Sequence, residues 1–263
     1  MLRFFRRLRQ SLLAQNPPGG ERQQGKTHRP SFRAGRYLLY ALGEIVLIVV
    51  GILLALYLDN INADKQAREV EAELLSELKS NLVSNIKILG RTLNTEAEYL
   101  AYNEMILEYL DNQKPYHKEL DRAFGVYFWT VSTNPVTGGY EFLKSKGIDL
   151  ITNDSLRNKI SFVFENEFSI LKNENEVWSN NLQQNISYPY HVKHFRRYYS
   201  TNTDSTEIEL AKPFDYNSLL EDEEFKSINT EIISNRKWNI NSLQNLIREI
   251  EGLLVQIDGE LKN

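Results

Sequence analysis

The run Tyr37–Leu58, YLLYALGEIVLIVVGILLALYL, holds 22 residues with a single acid, Glu44, among them. As a helix rising about 1.5 Å per residue it is about 33 Å long. The hydrocarbon core of a bilayer is about 30 Å thick, so a segment of this length and composition is read as a transmembrane helix. No other part of the chain approaches it in length and apolarity. A secretory signal peptide carries a shorter apolar region, about 7–15 residues, and a small-residue cleavage site. Leu54-Ala55-Leu56-Tyr57 offers no such site. The expectation is an uncleaved anchor spanning 37–58.

Charge then gives an orientation. Before the span stand nine bases (Arg3, Arg6, Arg7, Arg9, Arg22, Lys26, Arg29, Arg33 and Arg36) against Glu21, a net of +8. After Leu58 the chain holds 22 bases and 33 acids, a net of −11. Basic flanks stay in the cytoplasm. The N-terminus is therefore expected inside, at the inner membrane, and the large acidic part, 59–263, is expected to be exported to the periplasm. With no cysteine anywhere, there is no disulfide framework, thiolate nucleophile or Cys-ligated metal. An exported part of about 200 residues is large enough to bury a core without staples.

Along the chain, 1–16 reads as a basic amphipathic helix. Phe4, Phe5, Leu8, Leu12 and Leu13 lie near one face, and Arg3, Arg6, Arg7 and Arg9 on or beside the other. Such a helix lies on an anionic membrane surface, and a solvated basic flank is the bland alternative. Residues 17–36 are rich in Pro, Gly, Gln and Arg and read as a flexible linker. Beyond the span the pattern turns helical. Leu75, Leu78, Leu82, Ile86, Leu89, Leu93, Ala97 and Leu100 follow an eleven-residue repeat, about 3.67 residues per turn, in a stalk-like first helix from about 62 to 110 with a weak point at Gly90. An aromatic-rich helix is expected over 120–131, a turn at Gly138-Gly139, and a short helix over 140–146 closed by Gly147. Asn153 or Asp154 then caps a helix with the stripe Leu156, Ile160, Phe164, Phe168 and Leu171. Trp178, Leu182 and Ile186 read as a further stripe, ended or kinked at Pro189. Residues 200–217 read as loop with a short extended piece at Glu207–Leu210, and Ser218 to Glu221 fits a capping box. The last helix, Trp238 to Leu261, has Leu243, Leu246, Ile247, Ile250, Leu253, Leu254, Ile257 and Leu261 on its apolar side. The fold class is all-α: one N-terminal transmembrane helix, then an elongated exported bundle whose last helix packs against its first.

The block Phe4-Phe5-Arg6-Arg7-Leu8-Arg9-Gln10, with Tyr40 to Leu56 (YALGEIVLIVVGILLAL), resembles a Bacteroidota family catalogued as domain of unknown function 6090. Tyr140 to Arg157 (YEFLKSKGIDLITNDSLR) is similar to that family's second recognisable block. The resemblance implies a membrane-anchored protein with an exported helical domain. It implies no activity and no catalytic residues.

Glu44 is the sharpest chemical feature. It lies about 5 Å along the helix from the middle of the span, where a carboxylate costs about 2.5–3.5 kcal/mol on insertion scales. It is therefore neutralised, paired or facing water. Glu44, Gly51 and Ala55 fall on one helix face, where small residues admit a second helix and a carboxyl group can hydrogen-bond across the contact. The structural reading is self-association or association with another membrane protein. The functional reading is proton handling, as in the single-span subunits of ion-driven motors, which is an analogy of architecture alone. His191 and His194, at i, i+3, have metal-ligand spacing but no evident third ligand, so packing is the preferred reading. Tyr188 to Tyr199 interleaves Lys193, Arg196 and Arg197 with aromatics, as nucleic-acid surfaces do. The net −11 and exported placement argue against nucleic acid as a partner. No nucleophile elbow, Walker loop or dinucleotide fingerprint occurs. No catalytic, cofactor-binding or metal-ligating residue is therefore assigned, and the protein is read as non-enzymatic, with the lipid bilayer as its first partner.

Overall fold

The computed structural model describes residues 32–201 and 207–262. The amphipathic helix expected over 1–16, with Arg3, Arg6, Arg7 and Arg9, lies outside the described residues, as does most of the linker expected over 17–36. By its internal contacts the chain divides into two units, ending at Ile61 and beginning at Asn62.

The first unit contains the apolar run. Helix α1 is formed over Phe32–Asp111, so the helix begins within the segment read as linker. Among the described residues one helix is long and apolar enough to cross a membrane. Its most apolar 18-residue window has a mean hydropathy of 2.6, and none of that window is buried within the protein. Every residue over 41–58 is exposed. An apolar surface of this size in water is unfavourable by about 25 cal/mol per Å², and a lipid environment removes that penalty.

In the second unit the later half of α1 packs against the last helix, α8 (Glu223–Glu260). Between them in sequence come α2 (Leu120–Val126), α3 (Gly138–Lys146), a 3₁₀ turn (Ile148–Leu150) and α4 (Asp154–Ser161). They are followed by α5 (Val177–Leu182), α6 (Tyr188–His194), strands β1 (Phe195–Thr201) and β2 (Glu207–Pro213), and α7 (Tyr216–Leu220). The described residues are thus predominantly helical, with one small sheet. Local chemistry sets several ends. The Asn153 side chain accepts from Leu156 N to start α4. Gly147, at φ +110°, closes α3 in a conformation that disfavours side chains.

Two apolar clusters fill this unit. One joins Leu75, Leu78, Leu82 and Leu89 of α1 to Tyr140 and Leu143 of α3, to Leu156 and Ile160 of α4, and to Leu243, Leu246, Ile250, Leu253 and Ile257 of α8. The other joins Ile106 and Leu110 to Phe124, Tyr127 and Phe128, to Tyr190, Phe195 and Ala211, and to Phe225, Ile228 and Ile232. The contact between first and last helix that the sequence implies is present, and so is the stripe Leu156, Ile160, Phe164, Phe168 and Leu171, all buried.

Five expectations are corrected. The buried face of α1 runs Leu75, Leu78, Leu82, Asn85, Leu89, Thr92 and Glu96, a strict three-four alternation near a 3.5 repeat, not the eleven-residue repeat. Ile86 and Leu93 are only partly buried, and Ala97 is exposed. Asn85 and Glu96 occupy seam positions with partners outside α1, the Val136 backbone and Arg236, and the Thr92 hydroxyl donates to Ile88 O of its own helix. Helix α1 passes through Gly90 without a break. Gly138 and Gly139 begin α3 rather than forming a turn, and Gly139 N donates to Asn81 Oδ1 at 3.2 Å. The capping box at Ser218 is displaced, since Asp215 caps α7 and Asp222 caps an α8 that starts 15 residues before Trp238. Finally, the extended piece expected at Glu207–Leu210 is present but runs on to Pro213 as β2, and it is paired antiparallel with a strand not expected from sequence, β1, in the register Tyr198↔Leu210; residues 202–206 lie outside the described residues. The aromatic content of β1 favours a half-buried strand. Gly125 lets β2 lie directly on α2, because a Cβ there would stand 2.7 Å from Glu209 O.

Candidate functional site

The chain from Asp154 to His194 is helical throughout but changes register three times. Phe162–Glu167, Ile170–Glu176 and Gln183–Ser187 are π-helical. Such i→i+5 segments concentrate at functional sites because each wide turn re-aims the side chains that follow it. This overturns the stripe expected from Trp178, Leu182 and Ile186. Trp178 and Ile186 are exposed, and the inward positions are Asn175, Ser179 and Ser187.

Those inward residues meet a buried polar layer between the two apolar clusters. Its centre is the ion pair Arg236 Nη1–Glu96 Oε2 at 2.6 Å, with side chains only 4% and 3% exposed. Arg236 also donates through Nε to Asn103 Oδ1 (2.9 Å) and through Nη2 to the carbonyls of Tyr127 (3.2 Å) and Trp129 (2.6 Å). Burial lowers the Arg236 pKa, and the Glu96 carboxylate beside it opposes that shift. Asn103 Nδ2 donates to Asn229 Oδ1 at 2.6 Å, and Asn229 Nδ2 returns a bond to Asn103 O at 2.8 Å. The layer then runs outward. Asn239 Nδ2 donates to Ser179 Oγ (3.1 Å), and Ser179 Oγ donates to Asn235 Oδ1 (2.7 Å).

Asn235 brings the layer to the surface at a depression of about 380 Å³, lined by Asn175, Trp178, Glu231, Ser234, Asn235 and Trp238. Trp178 is 60% and Trp238 59% exposed. The Trp238 indole is held in place, since its Nε1 donates to Asn175 Oδ1 at 2.9 Å. That bond fixes the Asn175 amide, whose Nδ2 has no acceptor among the described residues although Asn175 is 2% exposed. From sequence, Trp178 falls on an apolar stripe and Trp238 opens the last helix, because indoles are normally counted as core. A signal was present: both tryptophans sit in amide- and hydroxyl-rich surroundings, Trp178-Ser-Asn-Asn181 and Ser234-Asn-Arg-Lys-Trp238-Asn-Ile-Asn-Ser242.

The residues singled out from sequence fall elsewhere. Glu44, Gly51 and Ala55 are exposed on α1, and a Cβ at Gly51 would meet nothing within 4 Å. His191 is buried among aromatic rings, 4.4 Å from Phe128 and stacked on Phe195 at 5.0 Å, and neither ring nitrogen has a partner among the described residues. Burial and the nearby Arg197 push its pKa down to about 3. His194 stacks on Tyr190 at 4.1 Å. Arg197 lies over the rings of Phe128, Trp129 and Tyr188 at 5.0–5.5 Å and pairs with Glu209 at 2.9 Å, so it is engaged within the fold. Among the described residues no three His, Asp or Glu side chains converge in a metal-binding group. Two tyrosines, Tyr116 and Tyr198, donate their hydroxyls to the buried Asp121. No protein-family model, curated protein or solved structure matches this chain.

Proposed function

We propose that this chain is a non-enzymatic, single-span inner-membrane protein with a cytoplasmic N-terminus. Its exported helical unit binds a partner or ligand, as a scaffold or sensor does, and its span associates through Glu44, Gly51 and Ala55. The observation that carries the reading is the wholly exposed apolar surface of α1 over 41–58, preceded by nine bases and followed by an acidic unit. The resemblance to the Bacteroidota family supports the same arrangement.

The absence of native cysteine makes the topology directly testable. Ser11→Cys and Ser155→Cys variants in whole cells are treated with a membrane-impermeant maleimide. Labelling at 155 and protection at 11 are expected, and the reverse pattern sinks the orientation. For the span, tagged protein is recovered in mild detergent and the mass of the complex measured. Gly51→Leu is expected to lose association, because a bulky side chain holds the second helix away. Glu44→Gln is expected to keep it, because an amide still hydrogen-bonds. The second reading, a subunit of an ion-coupled membrane complex, is motivated by the acid inside an apolar span. It predicts a multi-span partner, with Glu44→Gln assembled but inactive in proton flux.

A further inference from the structure

We propose that the Trp178–Trp238 depression is a binding site for a neutral saccharide. The inference names the ligand class for the exported unit and rests on the ligand-binding reading above.

Two large indoles, each more than half exposed, line a single depression. The other four lining residues are Asn175, Glu231, Ser234 and Asn235, with no aliphatic side chain among them. The depression's apolar side chains are the two indoles alone, and the rest of the lining is polar. A pyranose presents a face of weakly positive C–H groups and a rim of hydroxyls that both donate and accept. The negative face of an indole suits the former, and amide, hydroxyl and carboxylate side chains suit the latter. A volume of about 380 Å³ falls at the small-molecule end of the usual pocket range, about 300–1,000 Å³.

The site is also prearranged. Asn175 Oδ1 anchors the Trp238 indole, and Ser179 holds the Asn235 amide through Oδ1. Less ordering is then left for the ligand to impose. Among the described residues the buried Asn175 Nδ2 is a donor without an acceptor, and such a group is costly unless satisfied. Glu231 is the one acidic side chain in the lining and no basic side chain accompanies it, which disfavours anionic ligands. A quaternary ammonium would use the indoles and Glu231 but would leave the amides without work, so the observations favour the sugar.

The test uses the full chain in a polyoxyethylene detergent without a sugar headgroup. Titrants are cellotriose, maltotriose, xylotriose and chitotriose, followed by tryptophan emission and calorimetry. Two of the three tryptophans of the chain line the depression, so emission reports on it directly. A saturable change with at least one trisaccharide is expected, weakened about tenfold or more, equivalent to about 1.4 kcal/mol, in Trp178→Ala and in Trp238→Ala. Trp178→Phe should keep part of the affinity, and unchanged far-ultraviolet circular dichroism excludes unfolding. Parallel retention on insoluble cellulose and chitin separates recognition of a free sugar from recognition of a polymer, and retention lost in the Ala variants supports the site in either form. The inference is overturned if no saccharide is bound, if binding survives both Ala variants, or if tetramethylammonium alone shifts the emission. A chain that passes the maleimide test yet binds no sugar loses this inference alone. A chain with Ser155→Cys protected loses the exported placement first, whatever it binds in detergent.

Discussion

His191 shows how one residue can carry the pH response of the fold. Its ring lies among Tyr127, Phe128 and Phe195, and both nitrogens are without partners among the described residues. Its pKa is near 3 in the fold, against 6.5 for an ordinary histidine, because burial and then Arg197 oppose its charge. Between those values the unfolded chain binds a proton that the folded chain refuses. Stability therefore falls as pH drops from about 6.5 toward 3, with a slope approaching ~1.4 kcal/mol per pH unit. Carboxylates titrate in the lower part of this window, so the comparison with His191→Phe isolates the effect. Between pH 6.5 and 4.5 the wild-type denaturant midpoint should fall more steeply than that of His191→Phe. If the wild-type midpoint falls no more steeply than that of His191→Phe between pH 6.5 and 4.5, the buried neutral histidine is refuted.

At the scale of elements, α4 and the end of α8 were readable because their apolar residues alone mark the buried face. Leu156 and Ile160, and Leu243, Leu246, Ile250, Leu253 and Ile257, are all buried. The seam of α1 was not readable beyond Leu89. Thr92, Glu96 and Asn103 carry it, and a polar residue reveals an inward position only once its partner is known. The π-helical turns were invisible for a different reason: reading with a 3.6 period presumes the hydrogen-bond register that those turns abandon. The depression was lost with them, since Trp178 reads as core when the period is held constant. At the start of α8, Asp222 does two jobs. It accepts from Phe225 N at 2.9 Å as the helix cap and from the Tyr190 hydroxyl at 2.5 Å. Asp222→Ala removes the cap and strands a buried hydroxyl, a loss of about 2 kcal/mol. Asp222→Asn should retain most of it, and thermal unfolding of the two variants should separate by several degrees.

The second unit as a whole is two apolar clusters joined through a polar layer, and its stability depends on that layer staying complete. Arg236→Met leaves Glu96 buried without its cation, at a cost of about 3–5 kcal/mol. Glu96→Leu combined with Arg236→Met leaves no stranded charge and should recover part of the loss, although the carbonyls of Tyr127 and Trp129 lose their donor. Urea unfolding of the single and double variants tests this, and a double variant less stable than Arg236→Met would refute it. The layer also restricts how the unit can move. An apolar seam tolerates a slip of one helical turn, about 5.4 Å, because one leucine replaces another. Here Glu96 meets Arg236 and Asn103 meets Asn229, and any slip parts both couples at once. The two long helices are therefore keyed like a shaft in its slot: this unit can shift as one piece or break the key outright, but it has no graded travel in between.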